Sequence, residues 1–223
     1  MSNALLRTAL GLLLASQLLA GCSLNSMLGG NTEREALAAL DWSFESRAIE
    51  ARVDTAPALN RYDDQAHSLV LMVVQSADAD AVRKLFADES ALTRALLSGQ
   101  TPAGLLSVSR YALVEPGRQA RFALDRQTKA QYIGVVAAYF GKPLQEGSRL
   151  FQIPAEVDKS GLVSSTYSAR PARVMLRLRL GADMILQADL DKLPASPAGA
   201  PSPAGPPAPE AAIRLDSLTS KKD

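Results

Sequence analysis

Three hydrophobic patterns follow one another along the 223-residue chain. The first is a single apolar run from Thr8 to Ala20, with Arg7 the only charged side chain ahead of Glu33. It is too short and too interrupted to cross a bilayer, which takes about 20 apolar residues. It has the form of the apolar region of a secretory signal peptide. The second pattern begins near residue 46 and is made of short segments. Ile49, Ala51 and Val53 alternate with Glu50, Arg52 and Asp54, which predicts a half-buried strand. Leu69 to Val74 is apolar without a break, as in a strand covered on both faces. The period then changes. Val82, Leu85 and Phe86 fall at helical spacing behind Asp78 or Asp80 as a cap. Leu92 and Leu96 do the same, with Gly99 placed to end the helix. These two helices are expected on the outer face of the 69–74 strand.

Strand patterns resume at Leu105–Val114, and Glu115-Pro116-Gly117-Arg118 predicts a type II turn. Ala120, Phe122 and Leu124 alternate with polar residues, and Tyr132–Phe140 is a second unbroken apolar run. Gly134 within it marks a place where a large neighbour comes close. A shorter strand around Leu150 and Gln152 stops at Pro154. Val174, Leu176, Leu178 and Leu180 alternate again, and Gly181-Ala182 predicts a two-residue hairpin turn into Met184–Gln187. About eight closely spaced strands predict a mainly β fold, an antiparallel β-sandwich with a helical insertion at about 77–99. The third pattern is Pro-rich: seven of the 13 prolines lie between Pro194 and Pro209. Such a stretch buries no core and samples polyproline II. The organisation is therefore a signal segment over 1–21 and a tether over 22–45. A capping-box pattern, Thr32-x-x-Glu35, starts a short helix within the tether. The sandwich spans 46–190, and a Pro/Ala-rich unstructured tail spans 191–223.

Charge and composition narrow the chemistry. With 24 Lys+Arg against 23 Asp+Glu the net charge is +1, which argues against a nucleic-acid partner. One Cys excludes an intrachain disulfide and a Cys-rich zinc site, and one His excludes a two-His metal site. The carboxylates lack a metal-loop spacing, and no phosphate-binding Gly loop or G-x-S-x-G elbow is present. The expectation is a protein that is not an enzyme, with no catalytic residues, no metal and no cofactor. His67 reads as a structural hydrogen-bonding residue. The Arg173, Arg177 and Arg179 stripe reads as a solvated sheet face.

Two features carry positive content. The apolar run ends in Leu19-Ala20-Gly21-Cys22, which resembles the lipobox of bacterial lipoproteins. That resemblance implies a diacylglycerol thioether on Cys22 and an acylated amino group. Ser23, where an Asp is the usual inner-membrane signal in enteric-type sorting, points to the outer membrane. The second feature is the connection from Thr55 to His67. Hairpins need two to five residues, and loops longer than about twelve are usually functional or disordered. This one carries Ala58, Leu59, Asn60, Arg61, Tyr62, Asp63 and Asp64. Tyr and Arg are the side chains of binding hot spots.

Several segments line up in one order: Ser43-Phe44-Glu45, Ala48-Ile49, Ala58-Leu59-Asn60, Gln65-Ala66-His67, Val74-Gln75, Val114-Glu115-Pro116-Gly117, Tyr132 to Phe140 and Leu150-Phe151-Gln152-Ile153-Pro154. Together with the lipobox this order resembles the TssJ (VasD/SciN-like) outer-membrane lipoproteins of the bacterial type VI secretion system. The resemblance implies a transthyretin-like sandwich on the periplasmic face of the outer membrane. It implies binding to the periplasmic C-terminal region of TssM, within a TssM–TssL membrane complex. It assigns part of that contact to the loop between the first two strands, here Ala58 to Asp64. Where the family often has an aromatic and then Gln-Leu, this chain has Val74-Gln75-Ser76, and the Pro-rich tail is outside the family pattern. A sandwich that binds a cell-wall glycan or another small ligand is the alternative, disfavoured by the scarcity of aromatics outside strands.

Overall fold

The computed structural model describes residues 29–113, 115–161, 164–194 and 212–215. Cys22, the signal segment and residues 195–211 of the tail lie outside the described residues. The described residues form eleven strands and three helices, in two compact units.

The larger unit, residues 42–154 with 171–223, is a two-sheet sandwich. One sheet contains β1 (Glu45–Thr55), β4 (Gln119–Arg126), β9 (Val174–Leu180) and β10 (Ile185–Lys192), in the order β10-β9-β1-β4. The other contains β2 (Leu69–Ser76), β3 (Ser107–Leu113), β5 (Tyr132–Ala138), β6 (Ser148–Gln152) and β11 (Ala212–Arg214), in the order β11-β3-β2-β5-β6. The alternation seen in sequence decides which side chains meet. Ile49, Ala51 and Val53 of β1 join Val174, Leu176, Leu178 and Leu180 of β9 against Leu69, Leu71, Val73, Ile133 and Val135 of the second sheet. The remaining face of the second sheet packs under α2 (Ala79–Ala87) and α3 (Glu89–Ser98), through Met72, Val74 and Val136 against Val82, Leu85, Leu92 and Ala95. The unbroken apolar run at 69–74 thus reflects a sheet covered on both sides.

Local sequence sets the insertion. Asp78 caps α2 by accepting from the Asp80 N–H at 2.9 Å, and Asp88 caps α3 by accepting from the Ala91 N–H at 2.9 Å. Gly99 ends α3 in the left-handed region (φ 70°). Arg110 of β3, only 7% exposed, donates from Nη1 to the Leu96 and Leu97 carbonyls at 3.1 and 2.7 Å. Its cation thereby satisfies the carbonyls at the helix end and compensates the dipole there. Gln75, also buried, ties β2 to the end of β4 and the residue after it by donating to the Asp125 carbonyl and accepting from the Gln127 N–H.

Gly134 is the close approach marked by the sequence. A Cβ there would lie 2.7 Å from Val74 Cγ2, 2.8 Å from Val82 Cγ1 and 2.9 Å from the Phe86 ring. Gly134→Val is expected to destabilise the chain by about 3 kcal/mol through overpacking, read as a lowered midpoint in urea with an unchanged slope.

Three features differ from the sequence reading. The connection after β9 is a four-residue turn closed by Gly181 N–H donating to the Met184 carbonyl at 2.8 Å, not a two-residue one. The β1–β9 pair is parallel, from Ile49↔Val174 to Thr55↔Leu180, whereas the other registered pairs are antiparallel. Alternation specifies which face is buried and carries no information on strand direction. The tail expected to be unstructured from residue 191 contributes the end of β10 and the whole of β11, because backbone pairing needs no apolar periodicity.

The outer face of the first sheet explains the arginine stripe. Arg177 pairs with Asp191 at 2.5 Å, and Arg173 lies 3.4 Å from Glu50 and 4.0 Å from Glu45. Charges of both signs share that face.

The smaller unit, residues 1–41 with 155–170, holds α1 (Glu33–Ala38), β7 (Ala155–Ser160) and most of β8 (Thr166–Pro171). Thr32 and Glu35 cap α1 reciprocally. Asn31 is locked to the β8 side: its N–H donates to the Ser165 carbonyl at 3.2 Å, its Nδ2 to the Tyr167 carbonyl at 2.8 Å, and its Oδ1 accepts from the Tyr167 N–H at 2.5 Å. Arg170 reaches Glu156 and Asp158, each at 2.9 Å. No β7 side chain is buried and β8 buries only Pro171, so the pair left no apolar stripe for the sequence to show.

Candidate functional site

The long β1–β2 connection is two structures in one. Its first part is core. Leu59 is fully buried, and its N–H donates to the Ala56 carbonyl at 3.0 Å. Asn60, 8% exposed, takes the left-handed conformation (φ 47°) that Asn tolerates better than most residues. Its Nδ2 donates to the Ser68 carbonyl and its Oδ1 accepts from the Phe140 N–H, both at 2.7 Å. Removing that amide takes the partner from two part-buried backbone groups, the Ser68 carbonyl and the Phe140 N–H. Asn60→Ala is expected to cost about 2–3 kcal/mol, measured as a lowered thermal midpoint.

The second part is exposed. Tyr62 and Gln65 exchange two backbone hydrogen bonds of 3.0 Å around Asp63 (φ 49°) and Asp64 (φ 57°). Two successive positive φ angles make this a type I′ turn, the geometry that matches the twist of a tight hairpin. Arg61 Nη2 lies 2.6 Å from Asp64 Oδ1. His67 Nε2 lies 3.0 Å from the Tyr62 carbonyl. A carbonyl only accepts, so that ring nitrogen carries the proton and serves as a structural donor.

Two neighbouring connections meet this hairpin. Phe140, just past β5, is 58% exposed, and its ring packs against the half-exposed Tyr62 ring, centroids 3.9 Å apart and planes tilted by 42°. Arg61 N–H donates to the Ala182 carbonyl in the β9–β10 turn at 2.8 Å. Tyr139 OH donates to the Met184 carbonyl of the same turn at 2.7 Å. Burial of that phenol pushes its pKa well above the usual tyrosine value, so it stays a donor at all physiological pH. Lys142 and Asp183 face each other across the two connections at 3.9 Å. The result is a platform with pinned backbone. It carries the exposed rings of Tyr62 and Phe140, with Met184 (54% exposed) on the adjoining turn and charged pairs beside them.

Of the loop residues singled out in the sequence, Arg61, Tyr62, Asp63 and Asp64 are exposed, Ala58 is half-buried, and Leu59 and Asn60 are buried. Cys22 lies outside the described residues. Phe140 and Met184 escaped the sequence reading because each adjoins an apolar strand. The signal was Gly141-Lys142-Pro143, turn residues that end the apolar run directly after Phe140.

Among the described residues, no group of three His, Cys, Asp or Glu side chains is placed to hold a metal ion. An open groove of about 410 Å³ lies between α2, α3 and residues 102–105, with Asp78, Lys84 and Asp88 on its wall. No aromatic ring lines it.

The fold is thus a mainly β sandwich with a helical insertion, and its loops present exposed aromatic and charged side chains. A family model described as type VI secretion lipoprotein, VasD, EvfM, TssJ, VC_A0113 matches residues 47–183. The chain belongs to this family. The crystal structure of the type VI secretion lipoprotein TssJ1 from Pseudomonas aeruginosa is 22% identical, covering 69% of this chain and 98% of that one, with a TM-score of 0.45. Serratia marcescens Lip, described as a membrane-bound component of the type VI secretion system, is 15% identical over 66% of this chain and 97% of its own, with a TM-score of 0.42. A structure described as the TssM C-terminal domain from EAEC is 14% identical over 66% of this chain and 98% of its own, with a TM-score of 0.44. No curated protein sequence matches the chain.

Proposed function

We propose that this chain is a structural lipoprotein of the type VI secretion membrane complex. Acylated Cys22 anchors it in the outer membrane from the periplasmic side, and the Tyr62–Phe140 platform binds the periplasmic C-terminal region of TssM, itself joined to TssL. No bond is made or broken; the protein acts by holding two others in register with a membrane.

Family membership supports the secretion role. The single observation that carries the binding surface is the exposed, tilted Tyr62–Phe140 ring pair on backbone pinned by Asn60, Arg61 and Tyr139. Rigid, half-exposed aromatics give contact area at little entropic cost, which is what hot spots require. Acylated Cys22 extends the same reading through the lipobox. A glycan site gains no support from the α2–α3 groove, since sugars stack on aromatic rings and that groove has none. The experiment is calorimetric titration of the purified chain with the periplasmic C-terminal region of TssM. A one-to-one saturable complex is expected, and absence of heat and of co-elution at high concentration overturns the reading.

A further inference from the structure

The sheet edge formed by β3 has an unusual occupant. The order β11-β3-β2-β5-β6 makes β3 an internal strand only because three C-terminal residues pair with it. The pairs are antiparallel: Ala212↔Leu113, Ile213↔Ala112 and Arg214↔Tyr111. The stretch they cover, Tyr111-Ala112-Leu113, has no charged side chain. The other sheet edges carry charges of their own, Arg121 and Asp125 on β4, Asp189 and Asp191 on β10, Arg149 on β6, whereas the one charge of β3, Arg110, is buried against the end of α3. Charged edge residues oppose pairing with another chain, and an uncharged edge needs a cover. The cover here sits where the edge lacks charge.

The occupant is attached in a way that permits exchange. Residues 193–211, nineteen in all, separate Lys192 at the end of β10 from Ala212. Fully extended, that length spans roughly 65 Å, several times the ~10 Å between packed sheets. A three-residue ladder on so long a connection has the reach to pair with a neighbouring molecule as well as with its own. The contacts made in trans are the same as those made in cis, so exchange sacrifices none of them. Crowding decides which copy is used.

We propose that the Tyr111–Leu113 edge of β3 is a strand-exchange site, filled by Ala212–Arg214 of the same chain when molecules are dilute and by that segment of a second copy when they are crowded. The edge is then a linking surface between copies, independent of the aromatic platform and of any lipid.

The test uses the full chain carrying Cys22→Ser, which removes its only thiol. One version adds Ala112→Cys, a second adds Ile213→Cys, and a third carries both. A short bis-maleimide is expected to close the double variant within one chain, seen as a monomer of altered gel mobility. An equimolar mixture of the two single variants is expected to give a covalent dimer whose yield climbs in proportion to concentration. Replacing Ala112→Cys by Asp189→Cys in the mixture is expected to leave no dimer above background. Closure of the double variant with no dimer from the mixture overturns exchange. Failure of both overturns the docking edge itself. Equal dimer yield from the Asp189→Cys mixture shows collision instead of pairing and also overturns the proposal.

Discussion

A chain carrying Tyr62→Ser and Phe140→Ser is expected to bind the periplasmic C-terminal region of TssM about a thousandfold more weakly than the unaltered chain. Each ring, as an aromatic anchor of a binding surface, contributes about 2 kcal/mol when truncated, and about 4 kcal/mol corresponds to that factor in Kd. The fold should be indifferent. Both rings are half or more exposed, and the Phe140 contact that matters to the core is its backbone N–H on Asn60 Oδ1, which the substitution keeps. Thermal midpoints should therefore agree between the double variant and the parent. Leu97→Ser is the matching control. Leu97 is 74% exposed on α3 and belongs to no part of the platform, so its loss should leave affinity unchanged. Calorimetry decides: parental affinity in the double variant moves the interface elsewhere, and a large loss in Leu97→Ser extends it to the helical layer.

The choice of those two residues depends on what the structure changed. The sequence marked the β1–β2 connection by its length and by Arg61 and Tyr62, and treated Ala58 to Asp64 as one contact segment. Burial divides that segment, because Leu59 completes the inter-sheet core and Asn60 bridges to Ser68 and Phe140. Replacing Asn60 together with Arg61 and Tyr62 would weaken binding and stability at once and separate neither. Burial and partners of a loop residue are set by chain segments far away in sequence, here eighty residues for Asn60 and Phe140. Local pattern cannot supply them. The strands were more legible. Ile49–Val53 and Val174–Leu180 announced their buried faces by strict alternation, and Leu69–Val74 announced cover on both sides by its absence. Direction stayed hidden for β1 and β9, since a parallel and an antiparallel partner bury the same alternate residues. β7, β8 and β11 stayed hidden because their backbones pair without an apolar stripe. Caps are local, so Gly99 was readable as the end of α3 and the start of α2 was narrowed to Asp78 or Asp80, of which Asp78 is the cap; Asp88, the cap of α3, was not singled out. Arg110, which completes the end of α3 from another element, was not.

Cys22→Ser is expected to move the protein entirely from the outer-membrane fraction to the soluble periplasmic fraction, and to abolish secretion while the domain still folds. Stable attachment takes two or more acyl chains, at about 0.8 kcal/mol for each buried CH₂. A serine cannot carry the thioether, so the substitution removes the whole of the proposed anchor in one step. No helix among the described residues is long and apolar enough to hold the chain in a membrane in its place. Stability should not change, because the fold among the described residues starts with Asn31, held by Ser165 and Tyr167, nine positions after Cys22. The same lock gives the anchor a mechanical consequence. Nine positions of extended chain span at most roughly 32 Å, so an acylated Cys22 keeps Asn31 and its β8 partners within that distance of the membrane surface. Affinity of the soluble Cys22→Ser chain for TssM in solution should equal that of the parent, because the platform is built without it. Secretion should nevertheless fail, because a soluble chain no longer concentrates the platform at the membrane. Membrane fractionation after a high-salt wash separates the possibilities: Cys22→Ser protein that still sediments with outer membrane shows an attachment other than the thioether. Secretion that continues from a fully soluble chain shows that TssM capture alone suffices.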